Sequence, residues 1–181
     1  MRRRTSPRRT PARATVAGTS PWLFEWMVAV AASVTAVVLS SSALRQGDAL
    51  WRDEVNSVVT AGAASLGDFW RLLEFESFPA LWLVALRVWM AVAGSSDTAL
   101  RLWGATGVLL LVGATWMAAR RTNRSVPLIG LSLLAVNADV LRWGSSVRAW
   151  SVGAALVIVA WATMRDLVAS PSRRALLLAT A

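Results

Sequence analysis

The sequence predicts an all-α, polytopic transmembrane protein with amphipathic juxtamembrane helices in its first outer loop. Of its 181 residues, 56% are hydrophobic and only 16% are charged, and the mean hydropathy is +0.52. A soluble domain of this size needs more polar surface than that. Several apolar runs also contain few charges and have the length that a bilayer crossing requires.

The chain begins with a basic tail. Residues 1–21 are rich in Pro, Ser and Thr, and six arginines fall within the first 13 residues. Because this segment has no apolar face to bury, we expect a disordered tail on the cytosolic side of the membrane. The net charge of +9 therefore indicates sidedness, and no nucleic-acid partner is expected. Residues 22–181 are expected to form one transmembrane domain with an outer loop over residues 45–101.

The first apolar run, residues 22–44, is long enough to span a bilayer. A cleavable signal peptide is the alternative, since the preceding segment is basic. However, the run is longer than the apolar core of a usual signal peptide, and SSSALRQG is a weak cleavage site. We therefore favour an uncleaved span with the N-terminus in the cytosol.

The first outer loop is predicted to hold two short helices. Apolar residues follow helical spacing from Glu54 onwards. A second helix is predicted in SLGDFWRLLEF, where Ser65 is the expected cap and Asp68 follows three residues later. Both helices are amphipathic, so we expect them to lie on the outer surface of the bilayer.

Residues 78–94, FPALWLVALRVWMAVAG, are apolar but short for a crossing, and they include Arg87. An arginine at the centre of a membrane helix costs about 2.5–3.5 kcal/mol on insertion scales. We therefore predict that this helix lies in the outer interface of the membrane. The arginines of later connections then share the side of the basic tail, as the positive-inside rule requires: Arg120, Arg121, Arg124, Arg165, Arg173 and Arg174.

Three further runs are predicted to cross the membrane: residues 102–119, 126–141 and 150–164. Another run begins at Arg174 and reaches the C-terminus within eight residues. The sequence is therefore expected to contain the N-terminal, incomplete part of a membrane domain.

The absence of Cys and His excludes disulfides, thiol nucleophiles, histidine bases and the usual zinc sites. Two adjacent acids, Asp53 and Glu54, stand in the stretch LWRDEVNS. One interpretation is structural, with Asp53 capping the helix and Glu54 interacting with the helix dipole. The other is catalytic, with a general base at the membrane surface and an arginine that holds an anionic substrate.

Neighbouring residues of a helix point about 100° apart, so we expect one of the two acids to act and the other to orient or bind. A divalent metal held by both acids is a further alternative, although no cofactor is firmly indicated. Trp51 is interpreted either as a membrane-interface anchor or as a ligand contact.

The succession of motifs resembles the GT-C superfamily of membrane glycosyltransferases, in particular the branch of protein O-mannosyltransferases and the aminoarabinose transferase of lipid A. The first motif is LWRDEVNSV after a first span. It is followed by a short Pro-containing helix, a Gly-Ser turn, an ALR stretch and a span that ends in paired arginines. The later stretch NADVLRWGSSVRAWSVGAALV is similar to the family's turn in which an Arg and an aromatic open a span.

This resemblance implies transfer of a sugar from a polyprenyl-phosphate donor to a protein, glycan or lipid acceptor at the outer face of the plasma membrane. It implies that Asp53 is the acid near the acceptor and that Glu54 assists it. It also implies that Arg148 and Arg101 bind the donor phosphate, with Trp51 beside the substrate.

The sequence departs from the family pattern in two places. Phe78-Pro79-Ala80 stands where relatives often carry His-Pro-Pro, and Ser146 stands where they often carry an acid. A donor or metal contact is therefore expected to be missing. The competing hypothesis is a non-catalytic membrane scaffold or subunit, or a truncated, inactive paralogue of such an enzyme.

Overall fold

The structure is a computed structural model that describes residues 21–42, 50–76, 79–122 and 126–169. These residues form helices and no strand. The helices, in chain order, are α1 (Pro21–Ser40), α2 (Arg52–Ala61), α3 (Leu66–Leu73), α4 (Ala80–Ala93), α5 (Asp97–Arg121), α6 (Leu128–Val136), α7 (Ala138–Trp143) and α8 (Trp150–Ala169). The basic tail before residue 21 and the run from Arg174 lie outside the described residues.

Three of these helices are long and apolar enough to cross a membrane: Trp22–Ser40, Asp97–Arg121 and Trp150–Ala169. Their outward faces carry large apolar side chains, such as Val34 on α1 and Trp161 on α8, which are more than half exposed. Apolar faces of this kind are suited to contact with lipid. The predicted fold class, an all-α polytopic membrane protein, is confirmed.

Two of the three long helices run in the same direction and the third runs against them. Helices α5 and α8 lie side by side and parallel, because Gly107 meets Ser151 near their starts and Arg121 contacts Asp166 near their ends. Helix α1 is antiparallel to α5. The Trp116 indole donates to Ser33 Oγ at 3.0 Å, whereas the C-terminal Ser40 of α1 reaches Val140 in α7.

The predicted span at residues 126–141 is divided into two helices. Helix α6 has nine residues, about 14 Å of rise, and packs along α1. Asn137 then starts α7 by accepting a hydrogen bond from the Val140 N–H at 2.9 Å. The Asn137 side chain thus satisfies the local backbone at the break in the predicted span.

Helices α2, α3 and α4 form a cluster against the start of α5. The buried residues that join them are Ala61, Phe69, Leu83, Leu86, Leu100 and Val147. Ser65 caps α3 as predicted, accepting from the Asp68 N–H at 3.1 Å. The predicted helix over residues 78–94 is confirmed as α4, which packs mainly against α2 and α5.

Arg87 is accommodated in the apolar helix α4 by the end of α2. Its guanidinium donates to the carbonyls of Ala61 at 2.8 Å and Ala63 at 2.7 Å and lies over the Phe69 ring. The last carbonyls of a helix have no partner within the helix and carry partial negative charge. The positive charge of Arg87 is therefore stabilised by backbone carbonyls inside this cluster.

The segment at residues 144–149 packs directly against the backbone of α5 at Gly104. A Cβ at Gly104 would lie 1.9 Å from the Ser145 carbonyl oxygen, so any side chain there forces one of the two backbones to move. Ser145 is also fixed from the other side, since its hydroxyl donates to the Ser40 carbonyl at the end of α1. This segment, called the 144–149 segment below, is therefore held between α1 and α5.

Substituting Gly104 should displace the 144–149 segment. We expect Gly104→Ala to destabilise the protein by about 1–3 kcal/mol, the usual range for overpacking. Gly113→Ala is the matched control on the same helix, because a Cβ there meets nothing within 4 Å. Thermal unfolding of the purified proteins in detergent measures the difference, and equal midpoints for the two variants would refute the close approach.

The sidedness of the helices can be tested with single cysteines, since the chain has none of its own. Asn56 is exposed on α2, and Ser125 lies in the connection between α5 and α6. We expect a cysteine at Asn56 to react with an impermeant thiol reagent in intact cells and one at Ser125 to react only after lysis. Labelling of Ser125→Cys in intact cells would mean that residues 78–94 cross the membrane.

Candidate functional site

An ion pair joins two positions that are 95 residues apart in the chain. Arg148 Nη1 lies 2.5 Å from Asp53 Oδ2, linking the first turn of α2 to the 144–149 segment. The side chain of Arg148 is 15% exposed, and that of Asp53 is 45% exposed. The arginine is therefore held in the protein, while the carboxylate is open to an incoming molecule.

Glu54 holds these two parts of the chain together. Its Oε2 accepts from the Trp51 N–H at 3.0 Å, across the N-terminus of α2. Its Oε1 accepts from the Val147 N–H at 2.9 Å. Both oxygens of Glu54 are thus engaged with backbone donors, and the residue before Arg148 is fixed.

The structural interpretation is therefore correct in placing Glu54 in the first helical turn and wrong in placing Asp53 at the cap. Trp51, not Asp53, occupies the N-cap position of α2, and Asp53 and Glu54 lie in the first turn. The expectation that Asp53 caps the helix was wrong, since its carboxylate faces Arg148. The helix geometry explains this outcome, because adjacent side chains point in directions about 100° apart.

Other contacts fix the backbone of the 144–149 segment. The Trp82 indole of α4 donates to the Val147 carbonyl at 2.9 Å, and the Ser151 hydroxyl donates to the Gly144 carbonyl at 2.7 Å. Ser146 accepts from the Arg148 N–H at 3.2 Å. A non-helical backbone needs such partners wherever water is scarce, and these partners set the direction of the Arg148 side chain.

The ion pair lies on the wall of a cavity of about 360 Å³. This volume is within the range of small-molecule sites. Charged groups come from α2, α7 and the 144–149 segment, and apolar residues of α5, α7 and α8 complete the lining. The lining consists of Trp51, Asp53, Glu54, Leu111, Asp139, Val140, Trp143, Gly144, Ser146, Arg148, Trp150, Ser151 and Ala154.

Three tryptophan rings lie beside the charged residues of the cavity. Trp51 packs against Trp143 with ring centroids 4.9 Å apart and planes inclined by 31°. The Arg142 guanidinium lies over the Trp143 ring at 5.0 Å, and Arg148 lies over Trp150 at 5.7 Å. Flat rings of this kind provide stacking surfaces for sugars and cations.

Four of the five residues named from the sequence meet at this cavity, namely Trp51, Asp53, Glu54 and Arg148. Arg101 does not line it; it lies near the start of α5 and is partly buried. Trp143 and Asp139 were not predicted as site residues. Their only signal in the sequence was their place just before the turn that ends at Arg148.

Among the described residues, no group of three or more acidic, His or Cys side chains could hold a metal ion. Binding a divalent cation between Asp53 and Glu54 would require both carboxylates to leave their present partners. Arg148 and the backbone N–H groups occupy the positions that a cation would take.

Comparisons of the chain with protein-family models, curated proteins and solved structures give no match. Membership of the GT-C superfamily therefore remains a prediction from the motifs quoted above.

Removing the Glu54 carboxylate should loosen the site. Val147 is buried, and an unsatisfied buried N–H costs about 1–3 kcal/mol. We therefore expect Glu54→Ala to lower the thermal unfolding midpoint of the purified protein. Glu74→Ala, at the exposed end of α3, is the control and should leave the midpoint unchanged. A midpoint of Glu54→Ala equal to that of the wild type would show that the bridge contributes nothing to stability.

Proposed function

We propose that this protein transfers a sugar from a polyprenyl-phosphate-linked donor to an acceptor at the outer face of the plasma membrane. The observation that carries the proposal is the Asp53–Arg148 pair on the wall of a ligand-sized cavity. The cavity lies among apolar helices, so a lipid-linked substrate can reach it from the bilayer. The resemblance of the sequence to GT-C glycosyltransferases names the same two residues independently of the geometry.

The reaction needs only the residue types that the site contains. The acceptor hydroxyl attacks the anomeric carbon of the sugar while the bond from that carbon to the phosphate oxygen breaks. The electron pair of that bond leaves with the phosphate, and the acceptor proton passes to a carboxylate. Orientation, a base and a cation near the departing phosphate supply the main catalytic terms.

The contacts divide these roles among the site residues. Asp53 is the base, because its carboxylate is the more exposed member of the ion pair and faces the cavity. Arg148 binds the phosphate, for which the planar guanidinium is well suited. Glu54 positions both residues through its two backbone hydrogen bonds, and the Trp51–Trp143 stack offers a platform for a sugar ring.

The base assignment predicts a sharp effect of one substitution. We expect Asp53→Asn to lower sugar transfer by about 10²–10⁴-fold, the usual contribution of a general base, while the amount of protein in the membrane stays normal. The assay uses membranes from cells with the variant at the native locus, supplied with polyprenyl-phosphate-linked hexoses and pentoses. Release of polyprenyl phosphate is the measured product.

Asp97→Asn, an exposed acid in the first turn of α5, is the control and should keep wild-type activity. Full activity in Asp53→Asn would refute the base role. Transfer that is absent from wild-type membranes with every donor would instead favour the non-catalytic subunit.

A further inference from the structure

We infer that the donor phosphate displaces the Asp53 carboxylate from Arg148 and that this exchange makes Asp53 available as the base. The inference rests on the proposed function and concerns the regulation of the same site. In the structure, Asp53 Oδ2 accepts from Arg148 at 2.5 Å, so the two groups assigned to successive steps of transfer are bound to each other. Opening the pair frees both groups for these steps.

The surroundings determine which partner gives way. Arg148 is 15% exposed, follows the fixed residue Val147 and lies over the Trp150 ring. Asp53 is 45% exposed and lies on the cavity wall. An anion that enters the cavity therefore meets the fixed guanidinium of Arg148. The Asp53 carboxylate that is bound to it is the more exposed of the two groups. The diester phosphate of the donor presents two charged non-bridging oxygens, as a carboxylate does, so it can take the place of Asp53 on the guanidinium.

The cavity favours a phosphate that belongs to a lipid. Leu111, Val140 and Ala154 line the part contributed by α5, α7 and α8, and the charged pair lies where α2 meets the 144–149 segment. A molecule with a charged head and an apolar tail matches both parts. Inorganic phosphate matches only the first.

The exchange couples donor binding to proton removal. Once the phosphate occupies Arg148, the released carboxylate can accept the acceptor proton as the oxygen–carbon bond forms and the carbon–phosphate oxygen bond breaks. The departing lipid phosphate is a monoester and carries about −1.5 to −2 charge, more than the diester donor. Arg148 therefore holds the leaving group more strongly than it holds the donor, which favours bond breaking. Without a donor, Asp53 stays paired with Arg148.

The exchange makes a prediction opposite in sign to that of a structural ion pair. Removing the competing carboxylate should strengthen phosphate binding, so we expect Asp53→Asn to bind farnesyl phosphate about tenfold more tightly than the wild type. Arg148→Gln should lose this binding. Isothermal titration of the purified protein in uncharged maltoside micelles measures both, with farnesol and inorganic phosphate as the headgroup-free and tail-free probes.

Two controls separate exchange from a general change of charge. Asp139 is a second carboxylate on the cavity wall, so Asp139→Asn should change the affinity by less than about twofold if only the paired acid competes. The gain from Asp53→Asn should also vanish in the Arg148→Gln background. Asp53→Ser replaces Asp53→Asn if that variant does not accumulate in the membrane.

Equal or weaker binding of farnesyl phosphate to Asp53→Asn would overturn the exchange. An equal gain in Asp139→Asn would overturn it as well, and inorganic phosphate bound as tightly as farnesyl phosphate would overturn the lipid assignment. The two proposals fail separately. If transfer depends on Asp53 but Asp53→Asn does not bind farnesyl phosphate more tightly, the transferase proposal stands and the exchange is refuted. If Asp53→Asn binds more tightly but no transfer is found, the exchange of anions on Arg148 stands and the transferase proposal is refuted.

Discussion

The hydrogen bond from the Val147 N–H to Glu54 is the contact on which the rest of the site depends. It joins the start of α2 to the 144–149 segment across 93 positions of the chain. Through it, the position of Arg148 is set by the same helix turn that carries Asp53. The other oxygen of Glu54 accepts from the Trp51 N–H at the N-terminus of α2. One carboxylate therefore binds both α2 and the 144–149 segment beside the cavity.

This arrangement also solves a problem of backbone polarity. The 144–149 segment is not helical, and several of its residues are buried among apolar helices. Unpaired backbone groups in such surroundings are costly. Two side chains bond to the backbone of Val147, namely Glu54 of α2 and Trp82 of α4. The Ser40 carbonyl of α1 accepts from the Ser145 hydroxyl, and Gly104 of α5 leaves space for the segment. The segment that carries Arg148 is consequently the point where most of the helices meet.

The sequence predicted the features that depend on near neighbours. The Ser65 cap, the helix over residues 78–94 and the position of Glu54 in a first helical turn follow from local spacing and composition. The break at Asn137 was missed because hydropathy averages over residues 126–141 and does not detect a single capping side chain. The role of Arg87 was likewise hidden, since its partners are the carbonyls of Ala61 and Ala63, which lie 24 to 26 residues earlier at and just after the end of α2.

The sequence named several residues that line the cavity but not the contacts between them. The motifs named Asp53, Glu54 and Arg148, yet only the fold shows that one acid meets the arginine and the other meets the backbone. This division follows from the helix rather than from the residue types, because consecutive side chains diverge by about 100°. Arg101 and Arg148 are equally cationic in the sequence, but only Arg148 directly follows a residue, Val147, that Glu54 fixes. In a chain without His or Cys, the chemistry available to the cavity is set by which carboxylate is left facing the guanidinium, and that carboxylate is Asp53.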